Sequence, residues 1–213
     1  DIGRPTEESG EAAVKALEKA IDDCQNGHVD AIVGAPVCDS NFKVGKTMYG
    51  EQTYFLEKKL GGDAKALRMI VGKKMRMAFV TTEMPLKDVA ETITQELVEE
   101  KAAALHETLL RDFRITNPRI AVLAMNPASA NGNDEKMEET TILKPAIEKL
   151  EKEGRQVFGP YVAEEFFGEA QYTAFDGILA MYKDQGVIPY RTIEQENGLK
   201  MIAAMSVVMT MPD

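Results

Sequence analysis

Apolar residues recur along this chain at two spacings, and the alternation between the two predicts its elements. Ala13, Leu17, Ala20 and Ile21 fall on one helical face, so a helix is predicted over residues 7–25. Thr6 or Ser9 caps it, Glu7 and Glu8 suit its positive end, and Asn26-Gly27 closes it. Val29-Asp-Ala-Ile-Val-Gly-Ala35 follows as a β-rich run and the first predicted strand. Arg76-Met-Ala-Phe-Val-Thr81-Thr82 is a second strand, and Pro85 opens a helix at its first turn. Residues 94–113 read as a helix with Leu97, Ala104, Leu105, Thr108 and Leu109 inward, and Pro118–Met125 is the clearest strand in the chain. A charged helix over 135–152 turns Ile142, Ile147 and Leu150 inward, and Pro145 marks a kink or split in it. Gln156–Tyr161 reads as a strand and turn, and Glu164-Glu165 as a helix start. Ile178–Tyr182 is a buried strand opening into a polar loop, and Met201–Met209 is a last apolar strand. Helices and strands alternating through short joins predict an α/β fold, with a mixed or parallel sheet flanked by helices.

Composition narrows the function. Lys plus Arg number 25 against 35 Asp plus Glu, a formal net charge of −10, which argues against a nucleic-acid or anionic-membrane surface. No apolar stretch approaches the roughly 20 residues that span a bilayer, and no secretory signal opens the sequence. Cys24 and Cys38 form no close pair, which points to a reducing, cytoplasmic compartment without a disulfide framework. His28 follows a turn and His106 sits in a helix; neither has the clustered partners of a metal ligand, so both read as ordinary packed or solvated side chains. No GxGxxG or Walker sequence cradles a phosphate. The 12 methionines are read as filling for irregular core gaps. Asp1 at the start and Met211-Pro212-Asp213 directly after an apolar run read as cut ends.

The stretch with most chemical content is Met181-Tyr182-Lys183-Asp184-Gln185-Gly186. In α/β proteins, ligands bind at the carboxyl ends of strands, where this stretch is predicted to lie. On pattern alone it is equally a strand followed by an ordinary polar turn. The stretch resembles the Met-Tyr-His-Asp-Gln-Gly motif of the 4-hydroxythreonine-4-phosphate dehydrogenase family, with Lys183 at the histidine position. Further segments resemble that family in the same order. Gly3-Arg-Pro-Thr-Glu-Glu-Ser-Gly10 is similar to its opening Gly-x-Pro-Thr-x-x-Ser-Gly, and Asp39 lies near a family lysine. Gly50-Glu51-Gln52-Thr53 is similar to its Gly-His-Thr-Glu, so the histidine corresponds to Glu51 or Gln52. Arg119–Ala130 resembles its Arg-Ile-x-Val-x-x-x-Asn-Pro-His-Ala-Gly: Asn126-Pro127 remain and Ala128 stands for the histidine. Gly159-Pro160 with Glu164 or Glu165 resembles its Gly-Pro-x-x-x-Asp.

The resemblance implies the central part of an isocitrate/isopropylmalate-dehydrogenase-like fold. It implies one α/β unit over residues 1–213, corresponding to the family's dimerisation and substrate domain, with the flanking segments of the NAD domain absent. It implies a homodimer. Family enzymes use NAD and a divalent metal held by three histidines, and the metal acts as a Lewis acid during oxidation of a phosphorylated hydroxy-amino acid. Here those positions are Glu51 or Gln52, Ala128 and Lys183, and a lysine ammonium has no lone pair to give. The expectation is therefore a family member with no metal, no NAD of its own and no catalytic residue. Asn126, Lys183, Asp184, Gln185 and Thr53 would line a relic substrate pocket, in which Glu51 or Gln52, Ala128 and Lys183 meet, within one chain or across the dimer. A phosphate-like anion is the expected guest, with Lys183 pairing with Asp184, Glu51 or that anion. A working divergent dehydrogenase and an excised or engineered α/β scaffold are the alternatives.

Overall fold

The structure is a computed structural model that describes residues 4–35, 37–44, 47–48, 52–60, 66–127, 137–195, 198–204 and 208–212. The chain divides into two compact units, Asp1–Gly62 and Asp63–Asp213.

In the first unit, helix α1 spans Glu7–Gln25 and buries Gly10, Val14 and Ile21. Thr6 caps it: its hydroxyl accepts from the Ser9 amide, and the Ser9 hydroxyl accepts from the Thr6 amide. A single 3-10 turn at Asp39–Asn41, a two-stranded ribbon (β1, Lys43–Val44; β2, Thr47–Met48) and helix α2 (Gln52–Leu60) follow. Phe42 and Phe55 meet edge to face with ring centroids 5.7 Å apart, and both are buried. The predicted strand at Val29–Ala35 does not form among the described residues: it joins no ladder there, and Val33 is 97% exposed. The β-prone composition is present, but a strand exists only against a partner.

The second unit is built on a seven-stranded sheet. Its strands are β3 (Leu67–Val71), β4 (Arg76–Phe79), β5 (Arg119–Leu123), β6 (Gln156–Tyr161), β7 (Gly177–Ala180), β8 (Leu199–Ala203) and β9 (Met209–Pro212). The order is β6-β5-β7-β4-β3-β8-β9. Neighbours from β6 to β4 run parallel, and those from β4 to β9 antiparallel. The fold is thus α/β with a mixed sheet. Helices α3 (Leu86–Thr92), α4 (Gln95–Arg111) and α5 (Lys144–Lys152) pack on one face, and α6 (Ala163–Gly168) and α7 (Lys183–Glu194) on the other. Each central strand feeds both cores by its two-residue period: Ile120, Val122, Leu179 and Ala78 point to the α4–α5 side, and Ala121, Leu123, Ile178 and Met77 to the α6–α7 side. That is why these strands read as continuous apolar runs rather than alternating ones.

Four expectations change. β3 was not predicted; its run ends at Gly72 and turns through Lys73-Lys74 into β4, the pattern of a hairpin. The last apolar run is two antiparallel strands, β8 and β9, not one. The split expected at Pro145 is a π-helical turn at Glu139–Leu143 followed by α5, with the proline in the first turn of α5. Finally, Lys183-Asp184-Gln185-Gly186 is no loop: it is the first turn of α7, which continues through Pro189.

Candidate functional site

Strands β4, β5 and β7 end side by side, and the residues after them carry the polar groups that the sequence singles out. Gln185 joins two of these ends. Its Nε2 donates to the Ala124 carbonyl after β5 (2.6 Å), and its Oε1 accepts from the Met181 amide after β7 (2.8 Å). Thr81 joins β4 to β7: its amide and hydroxyl both donate to the Met181 carbonyl, at 3.1 and 2.8 Å. These bonds satisfy backbone groups that the parallel ladder leaves over at its end. Gly186 then lets α7 lie close on β4, since a Cβ there would come within 2.8 Å of Met77 Cγ and Phe79 Cε1. The glycine that reads as a turn signal is a helix–sheet contact.

Asn126 is held from the other side. Its Nδ2 donates to Glu138 Oε2 and Glu139 Oε2, both at 3.0 Å, and Glu139 Oε1 accepts from the Met125 and Asn126 amides, both at 2.8 Å. Glu139 is only 5% exposed. Burial pushes its carboxyl up, but the hydrogen bonds from the Asn126 side chain and the surrounding amides outweigh that and hold it below its ordinary 4.5. Neither glutamate stands out in the sequence, because Glu138-Glu139 lies in a charged stretch that reads as a solvated helix face. The linkage has a definite sign. A depressed folded value contributes stability above the unfolded value, and that contribution is lost as pH falls through the folded value. Acid unfolding should therefore steepen below pH 4.5 in the parent, and Glu139→Gln should lower stability at pH 7 while flattening that acid limb. Urea titrations at both pH values check this; equal losses at pH 7 and in acid would refute the assignment.

Lys183 and Asp184 stand at the positive end of α7, both exposed. Lys183 Nζ donates to Glu83 Oε1 at 2.7 Å, so its partner is Glu83 in the segment after β4, rather than Asp184. The Lys183 hydrogen bond holds the Glu83 carboxyl below its ordinary value, with smaller contributions from Arg68 and Lys200. A cation at a helix N-terminus opposes the macrodipole, so Lys183 gains from an acid close by. An amino group in this state offers no electron pair to a metal. Among the described residues, no three His, Cys, Asp or Glu side chains cluster to hold a metal ion.

The remaining sequence candidates are less informative. Glu51 and Ala128 lie outside the described residues, as do the side chains of Asp39, Gln52 and Thr53; the backbone of Gln52 and Thr53 opens α2. The expected meeting of Glu51 or Gln52 with Ala128 and Lys183 therefore falls outside what is described. Glu164 and Glu165 are exposed in the first turn of α6, in keeping with the expected helix start. His28 and His106 each approach one acid, Asp23 and Glu107, at 3.4 and 3.5 Å.

A family model described as the pyridoxal phosphate biosynthetic protein PdxA matches residues 1–213. The chain belongs to the PdxA family. It is 40% identical over 212 residues to the 4-hydroxythreonine-4-phosphate dehydrogenase of Bacteroides thetaiotaomicron, covering 100% of this chain and 58% of that protein. The enzyme of the same name from Neisseria meningitidis serogroup A is 36% identical over 207 residues, 94% of this chain and 61% of that one. Among solved structures, a 4-hydroxythreonine-4-phosphate dehydrogenase from Burkholderia phymatum superimposes with a TM-score of 0.83 at 31% identity, over 98% of this chain and 63% of that chain. This chain therefore spans less than two thirds of the length of these PdxA relatives. A terephthalate 1,2-cis-dihydrodiol dehydrogenase from Burkholderia xenovorans, at 22% identity and a TM-score of 0.74, shares the fold. No helix among the described residues is long and apolar enough to cross a membrane.

Proposed function

We propose that this chain keeps the PdxA fold without the metal-assisted oxidation of its dehydrogenase relatives, and acts through binding or assembly. The observation that carries this reading is Lys183. At the position where the family resemblance implies a metal-binding histidine, the chain places an ammonium group committed to Glu83 at 2.7 Å. A dication brought there meets a fixed positive charge and finds no lone pair. Ala128 and either Glu51 or Gln52 at the other two positions add no imidazole. The polar side chains around Lys183 serve the scaffold: Gln185 and Asn126 hold strand ends in place, which is reason enough for a fold-keeping protein to retain them.

The test is direct. Dialysed protein should carry no stoichiometric zinc, magnesium or cobalt by elemental analysis. With NAD, 4-hydroxythreonine-4-phosphate and each metal in turn, no NADH should form. One metal per chain together with metal-dependent NADH production would overturn the reading and restore the dehydrogenase alternative, which the 40% identity to the Bacteroides enzyme favours.

A further inference from the structure

Glu194 is a buried acid that the strand-end site does not use. It ends α7, whose first residue is Lys183, and its carboxylate lies in the turn between β3 and β4. Three consecutive amides converge on it. Oε2 accepts from the Lys73 amide at 3.2 Å, while Oε1 accepts from the Met75 amide at 2.9 Å and from the Lys74 amide. Both oxygens are engaged by donors, which is how a backbone recognises a carboxylate. The turn is shaped around this guest, since a Cβ on Gly72 would stand 2.4 Å from Glu194 Cδ. The Met75 amide is buried, so water serves it poorly when the anion leaves. Lys73 and Lys74 are exposed, and their positive charges favour an anion in the turn between them and β4. The backbone that holds the guest is strained. Gln195, exposed and next in the chain, has φ 61° and ψ −94°, a region that residues with a Cβ rarely occupy and that costs free energy to hold. Withdrawal of Glu194 lets Gln195 relax.

We infer that the turn Lys73–Met75 is a binding site for small carboxylates, and that Glu194 is its built-in, displaceable occupant. The contact is autoinhibitory: an external carboxylate binds only as Glu194 leaves, and the end of α7 is freed with it. The inference does not rest on the metal reading above, because Glu194 and Lys183 stand at opposite ends of α7 and neither result alters the other.

Acetate is the probe. Glu194→Ala deletes Cγ, Cδ and both carboxylate oxygens, and acetate has those same heavy atoms. Sodium acetate should therefore raise the thermal midpoint of Glu194→Ala well beyond sodium chloride at matched ionic strength, with a shift that grows with the logarithm of concentration. Glu194→Gln still fills the turn with a carbonyl oxygen and should not respond. The parent should need about tenfold more acetate or more for the same shift, because its tethered carboxylate competes at high effective concentration. In the alanine variant, acetate should move the amide resonances of Lys73, Lys74 and Met75 in one saturable step and leave those of Glu83 and Asn126 in place. Where the alanine variant fails to fold in chloride, folding recovered by acetate supports the site, and failure in both salts overturns it. Acetate that acts no better than chloride, that acts alike on the alanine and glutamine variants, or that moves resonances away from the turn would equally overturn the proposal.

Discussion

Glu194→Ala should destabilise the second unit by about 2–4 kcal/mol, from the cost of leaving backbone donors without an acceptor. Glu194 ends α7 and is 7% exposed. Its carboxylate accepts from three successive amides in the turn between β3 and β4: Lys73 at 3.2 Å, Met75 at 2.9 Å, and Lys74 between them. Successive amides aimed at one point form an anion-binding nest, and here the anion comes from the chain itself. Water can reach the Lys73 and Lys74 amides once the side chain is cut back, but the Met75 amide is buried. Gly72 belongs to the same device, since a Cβ there would sit 2.4 Å from Glu194 Cδ and 2.7 Å from Tyr190 Oη. Glu194→Gln keeps one acceptor oxygen and should fall between parent and alanine variant. Urea unfolding measures both, and hydrogen exchange at Met75 and residues 190–194 locates the change. A loss below about 1 kcal/mol for the alanine variant would mean that these bonds add little beyond what water supplies.

How much of this molecule was legible in the sequence depends on how local each signal is. The helix over Glu7–Gln25 has a cap, an apolar stripe and a stop in one continuous stretch, and it forms with those bounds. Helix α4 and strand β5 are equally self-contained and appear within two residues of their expected limits. Val29–Ala35 carries a strand's composition, but pairing is a property of two segments, and no composition states that a partner is present. Lys183–Gly186 failed for a related reason. A polar tetrapeptide ending in glycine has the chemistry of a turn, and only the approach of Met77 and Phe79 explains the glycine inside a helix. The same holds at the site. Asn126, Gln185 and Lys183 were visible as odd polar residues after apolar runs, whereas Glu83, Glu138 and Glu139 were not. These acids matter only because the fold carries them to Lys183 and Asn126.

Gly10→Ala should destabilise the first unit, although alanine is the better helix former. In α1 the change gains up to about 1 kcal/mol of helix propensity. Against that, the new methyl would lie 1.8 Å from the Asn41 carbonyl oxygen and 2.9 Å from its carbonyl carbon. Those are backbone atoms, so no side chain can turn aside; either α1 or the turn at Asp39–Asn41 must move by more than an ångström. Overpacking of this kind costs about 1–3 kcal/mol, and more where the obstacle is rigid. The displacement also breaks a small polar network. Asn41 Nδ2 donates to the Thr6 carbonyl (2.7 Å) and to Ser9 Oγ (3.0 Å), and Ser9 Oγ donates to the same carbonyl (2.8 Å). The Thr6, Ser9 and Gly10 of the opening motif thus share one job, seating the first turn of α1 on Asn41. Gly168→Ala is the matched control: Gly168 ends α6, and a Cβ there would meet nothing within 4 Å. That variant should be neutral or slightly more stable than the parent, while Gly10→Ala exchanges its Thr6–Gly10 and Asn41 amides faster and melts earlier. If both variants gain stability alike, the contact between α1 and Asn41 is not a constraint on the fold, and Gly10 requires another explanation.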